Sequence, residues 1–160
     1  MPETSPGPSA PGALPRAALW LLLSIWIGGW FVFAFGVTTT AFRVLPTDQA
    51  GAVVGPILRG LHLYAAAAGA LLAGLAVWLR RGRTTVLLPL VLAGLCLVSE
   101  LVVTARIDAL RAQAGATVVG VESFHALHRI SMGIYTAVGV GTLVLLWLHA
   151  RADSPRRGAR

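Results

Sequence analysis

Four apolar runs, each broken from the next by a short polar stretch, account for most of the chain: about 17–42, 53–79, 84–111 and 121–150. A helix needs about 20 mainly apolar residues to cross a hydrocarbon core about 30 Å thick, and each run is at least that long. Within a bilayer the backbone must satisfy its own hydrogen bonds, which leaves helices as the economical solution for runs of this length. The pattern predicts an all-α membrane protein, a bundle of four transmembrane helices. Residues 1–15 (MPETSPGPSAPGALP) are rich in Pro, Gly and Ser and are expected to be a disordered cytoplasmic tail. Residues 151–160 are expected to be a basic cytoplasmic tail, and 113–120 a short connection. The first run is too long for the apolar part of a cleaved leader and is read as an uncleaved first span. Pro56 and Pro89 are expected in the first turns of spans two and three, where a missing N–H matters least.

Composition agrees with a lipid solvent. Of 160 residues, 56% are hydrophobic and 12% charged, where a soluble domain has roughly 25% charged residues. The net charge is +7, and all 13 basic residues are Arg. They flank apolar runs and form no polar basic surface, so nucleic acid is not an expected partner and lipid headgroups are. With four spans, Arg16, Arg80, Arg81, Arg83, Arg151, Arg156, Arg157 and Arg160 share one side. Arg43, Arg59, Arg106, Arg111 and Arg129 share the other. The positive-inside rule then gives an N-in, C-in topology in the cell inner (plasma) membrane. Trp20, Trp78 and Trp147 fall at the same predicted inner interface, where indoles partition. Cys96 stands alone in an apolar run and reads as a small buried hydrophobe.

Small residues allow close helix approach in lipid. Ala66, Ala70 and Gly74 make a stripe on span two, and Gly133, Gly139 and Gly141 punctuate span four. Packing inside the bundle is the plain use of these stripes, and homo-oligomer formation is the sharper one.

The ionisable residues gather in the predicted outer half. Arg59 and His62 lie three apart on span two. Glu100, Thr104, Asp108 and Arg111 follow helical spacing on span three. Glu122, His125 and Arg129 share a face of span four, with His128 and Ser131 on a neighbouring one. An acid inside a membrane helix costs about 2.5–3.5 kcal/mol on insertion scales, so Glu100 should face the bundle and find a partner among Arg59, Arg129, His62 and His125. The bland account has the arginines snorkelling to headgroups and Glu100 acting structurally. The functional account makes Arg59, His62, Glu100, His128 and Arg129 a polar outer-half pocket that binds or moves a small solute or ion. A third account pairs His62 with His125 or His128 as facing ligands of a b-type haem in a redox-linked protein; otherwise no cofactor is expected. A structural membrane subunit is the remaining alternative. No metalloprotease, P-loop, paired-cysteine or hydrolase motif is present, so neither a metal site nor a catalytic residue is assigned and a non-enzymatic role is expected.

Several short motifs together resemble a known group. They are GGWFVFAFG in span one, Phe42-Arg43-x-Leu45-Pro46 followed by Ala50-Gly51, and Phe124-x-x-Leu127-His128-x-x-Ser131 opening span four. The chain resembles the four-helix membrane family of unknown function that includes bacterial proteins and the eukaryotic transmembrane protein 205. The resemblance implies a four-helix bundle in a membrane and no particular reaction. The family's His-x-x-Ser is often followed by an Asn, and Tyr135 stands in that place here.

Overall fold

The computed structural model describes residues 12–112 and 118–154, all in helices and tight turns. Helix α1 (Ala13–Phe31) passes through a π-helical segment (Val32–Thr38) into α2 (Thr39–Val44). A bend at Leu45–Pro46 leads to α3 (Thr47–Trp78). After a turn, α4 (Arg83–Val98) passes through a second π-helical segment (Ser99–Thr104) into α5 (Ala105–Ala112). The last helix among the described residues is α6 (Val118–Asp153). Among the described residues four helices, Ala13–Val44, Gln49–Trp78, Arg83–Leu110 and Glu122–Asp153, are long and apolar enough to cross a membrane. The tail expected over 1–15 lies outside the described residues up to residue 11, and the chain is already helical from Ala13. Most of the connection expected over 113–120 also lies outside them, as does the basic tail beyond residue 154.

The helices close into a ring. Helix α1 packs on α3, α3 on α4, α4 on α6, and α6 back on α1, while the diagonal pairs make no close backbone contact among the described residues. The buried positions explain this order. Leu19, Leu23, Trp26, Trp30 and Phe33 recur at alternating steps of four and three along the first span. Pro89, Leu92, Cys96, Ser99 and Val103 do the same on the third, and Val138, Thr142, Leu145 and His149 on the fourth. Such spacing keeps one seam facing the partners of a left-handed bundle.

On span two the small-residue stripe is one position away from the expected one. Ala70 and Gly74 are exposed, whereas Ala65, Ala68, Gly69, Ala73 and Ala76 are buried. Gly69 lies at a close approach of α3 and α4. A Cβ there would stand 2.6 Å from the Pro89 carbonyl oxygen and 2.9 Å from the Ala93 Cβ. Pro89 lies inside α4, and Pro56 inside α3, rather than in their first turns. Because a backbone atom cannot rotate away, Gly69→Ala is expected to cost about 1–2 kcal/mol by forcing the two helices apart. Thermal unfolding in detergent checks this, with Gly74→Ala, whose Cβ meets nothing within 4 Å, as the silent control.

One end of the bundle is tied by charge. The Trp20 indole donates to the Asp153 carboxylate at 3.0 Å, Arg81 donates to the same carboxylate, and Arg16 Nε stands 3.5 Å from it. The start of α1, the α3–α4 turn and the end of α6 therefore meet at one end. His149, one helical turn before Asp153, is fully buried there. It occupies the inward seam of α6.

Candidate functional site

At the other end the seams carry polar residues. His62 continues the buried series of α3, and Ser99 that of α4. Glu100 follows Ser99 at the start of the second π segment. Bonding from i to i+5 widens the helix, and single π turns often mark functional positions. Here the Thr104 hydroxyl donates to the Ser99 carbonyl five residues earlier, at 3.1 Å. The widened turn also shifts the phase of the helix. Glu100 and Val103 are buried and Ile107 is half-buried, whereas Asp108 is exposed. The single face expected from Glu100 through Thr104 to Asp108 is therefore not continuous.

Glu100 is 4% exposed and His62 is 1% exposed. Arg59 Nε lies 2.9 Å from Glu100 Oε1, and the Arg59 side chain is 61% exposed. The arrangement lets the guanidinium pair with the buried acid through Nε while its bulk reaches outward, as long basic side chains do at a membrane boundary. The second carboxylate oxygen, Oε2, is 3.9 Å from His62 Nδ1, beyond hydrogen-bond reach. Glu100 Oε2, both His62 ring nitrogens and the Ser99 hydroxyl are buried without a hydrogen-bond partner in the protein. Buried polar atoms are almost always partnered, so this end of the bundle keeps hydrogen-bonding capacity that the protein's own side chains do not use.

An aromatic clamp holds His62 from the side. Trp30 lies 6.0 Å, centroid to centroid, from the His62 ring and stacks on Tyr135 at 4.5 Å. The Trp30 indole donates to the Tyr135 carbonyl at 3.2 Å, and the Tyr135 hydroxyl donates back to the Trp30 carbonyl at 2.8 Å. Gly139 makes the space, since a Cβ there would stand 3.0 Å from the indole nitrogen. Trp30 and Tyr135 were not among the residues expected at the site. The repeat of Trp26 and Trp30 on the seam of span one is the signal that points to the first. For Tyr135 it is the seam spacing of span four, which runs back from Val138 by three residues.

Of the five pocket residues expected from sequence, the structure brings together Arg59, His62 and Glu100. His128 and Arg129 are exposed on α6, as is His125. The rings of His125 and His128 contact Phe124, at 5.9 and 6.2 Å, while the His62 ring contacts Trp30. Among the described residues no cluster of three or more His, Cys, Asp or Glu side chains is arranged to hold a metal ion. Two surface grooves of about 310 and 460 Å³ lie along the first π segment and α3. Their linings, from Gly29, Val32 and Phe33 to Leu45 and Val53, are mostly apolar, and neither includes Arg59, His62 or Glu100.

Comparison with known proteins adds a family. A relative, an uncharacterized protein of Aquifex aeolicus (strain VF5), is 34% identical over 127 residues, which cover 76% of this chain and 86% of the relative. No solved structure matches. Residues 21–116, which hold most of the first three spans and the Arg59–His62–Glu100 group, match the model of a domain of unknown function, DUF4149. These matches support the expected family of unknown function and do not reach transmembrane protein 205. The chain belongs to the DUF4149 family.

Proposed function

We propose that the protein is a multi-pass protein of the inner (plasma) membrane whose Glu100–His62–Arg59 centre binds a proton near the outer face, where a small polar solute can share the site. The observation that carries this reading is the half-satisfied carboxylate. One oxygen of Glu100 is held by Arg59 at 2.9 Å, while the other faces a buried imidazole with neither of its nitrogens engaged. A carboxylate and an imidazole about 4 Å apart are one water molecule from exchanging a proton, and intramembrane acids and histidines recur in proton relays.

The proposed orientation, with both ends of the chain in the cytoplasm, rests on the arginine distribution and on Trp78 and Trp147, both exposed at the end where Arg16, Arg81 and Asp153 meet. If Arg83 marks the inner boundary, Glu100 is 17 residues further along the same span, or about 25 Å at a rise of 1.5 Å per residue. That depth is close to the outer edge of a hydrocarbon core about 30 Å thick. Arg59 would then stand at the outer headgroups and Glu100 just beneath them.

The test is an infrared titration of the purified protein in detergent. A carboxyl band that grows on acidification should be present in the native protein and absent from Glu100→Gln. An identical set of bands in both proteins would overturn the assignment of Glu100.

A further inference from the structure

The opposite end of the bundle holds a second polar centre, outside the proposed proton site. Asp153 accepts from Trp20 at 3.0 Å and from Arg81, and Arg16 approaches it at 3.5 Å. Two guanidinium groups thus share one carboxylate, which leaves one positive charge in excess. Exposed Arg80, Arg83 and Arg151 add to it at the same end. Beneath this pair the imidazole of His149 is 0% exposed, and neither of its nitrogens has a hydrogen-bond partner. The Arg81 side chain is 7% exposed, and its Nε also has no partner. Two buried side chains with unused hydrogen-bonding nitrogens, beside surplus positive charge, lack an acceptor that carries negative charge.

The backbone is arranged to hold Arg81 there. Arg80 sits at φ 52°, in the left-handed region that a helix C-terminus ordinarily gives to glycine. The Arg80 amide donates to the Val77 carbonyl at 2.9 Å and the Arg81 amide to the Ala76 carbonyl at 2.8 Å. This turn reverses the chain sharply after α3 and lets Arg81 point back over the bundle end. A non-glycine residue in that conformation is strained and persists where its surroundings impose it.

We infer that this end of the bundle is a binding site for a phosphate group, held by Arg16, Arg81 Nε and His149, with Asp153 setting the position of the two arginines. Arginine is suited to this role because its planar donors match phosphate oxygens. The headgroup of an anionic phospholipid is the source that fits the level of the site. The exposed rings of Trp78 and Trp147 lie at the same end, and Arg151 stands 5.3 Å over the Trp147 ring. Indoles of this kind settle among headgroups.

The experiment follows the melting temperature of the full chain in detergent micelles as phosphatidylglycerol, phosphatidylcholine or inorganic phosphate is added. Phosphatidylglycerol should raise it saturably, and phosphatidylcholine should do so far more weakly. Arg16→Gln, at a side chain 57% exposed and therefore tolerant of change, should weaken the apparent affinity by about tenfold, the loss expected for a charge-assisted hydrogen bond. Arg83→Gln, exposed at the same end but outside the cluster, should behave as the native protein does. A saturable response to inorganic phosphate with the same loss in Arg16→Gln would support the site and assign it to free phosphate. Equal losses in Arg16→Gln and Arg83→Gln would overturn it in favour of diffuse surface charge, as would equal responses to the two lipids. Glu100→Gln should respond as the native protein does, so failure of the proton site leaves this result readable.

Discussion

Trp30→Ala is expected to lower the stability of the bundle by about 3–5 kcal/mol, the range for truncating a buried aromatic side chain. The indole is 5% exposed, stacks on Tyr135, lies over His62 and fills the space above Gly139. Its loss also removes the donor to the Tyr135 carbonyl, one half of the reciprocal bond between the first and fourth spans. Lipid cannot drive the helices back together by a hydrophobic effect, so the lost packing is not recovered by collapse. Tyr135→Phe separates the two contributions. It keeps the stack and removes only the hydroxyl bond, and should cost about 1 kcal/mol. Thermal or denaturant unfolding in the same detergent ranks the three proteins. Equal stability of Trp30→Ala and Tyr135→Phe would mean that the clamp is not what joins these spans.

Arg59→Leu is expected to cost about 3 kcal/mol, at the low end for removing one partner of a buried ion pair. The low end applies because Arg59 itself is largely exposed, and water already screens its side of the pair. The cost falls on Glu100, which is left inside the protein without its cation. Removing the charge from both partners should therefore be milder than removing Arg59 alone. In Arg59→Leu with Glu100→Gln most of the lost stability should return, giving a coupling of more than 1 kcal/mol in the double-mutant cycle. Additive losses would mean that the 2.9 Å contact carries little energy and that Arg59 serves the headgroups instead.

The four spans were legible because the length of an apolar run is set by bilayer thickness and needs no knowledge of the partners. Arg59, His62 and Glu100 were legible for a related reason. A charge in an apolar run must be answered by another at the same depth, and a four-span topology fixes depth along each helix. What sequence left hidden was rotation about the helix axis. On span two residues 65–70 are all Ala or Gly, so the stripe at Ala66, Ala70 and Gly74 and the real one through Ala65, Gly69 and Ala73 look alike in composition. On span three the π segment from Ser99 to Thr104 alters the phase, which no period of 3.6 anticipates, and Asp108 leaves the Glu100 face as a result. The spacing of His149 from Val138, Thr142 and Leu145 puts it on the seam of α6, a placement that the sequence carries in its steps of four and three.

The central claim is that Glu100 exchanges a proton beside His62 inside the bundle, and the measurement that tests it most directly is the infrared titration repeated in His62→Phe. A phenyl ring keeps the volume and removes both nitrogens that face the carboxylate. A single Glu100 carboxyl band is expected, with a frequency that differs between the native protein and His62→Phe, and it vanishes in Glu100→Gln. A band at the same frequency in both proteins would contradict the coupling of the two residues. No pH-dependent band assignable to Glu100 would contradict the proton site itself.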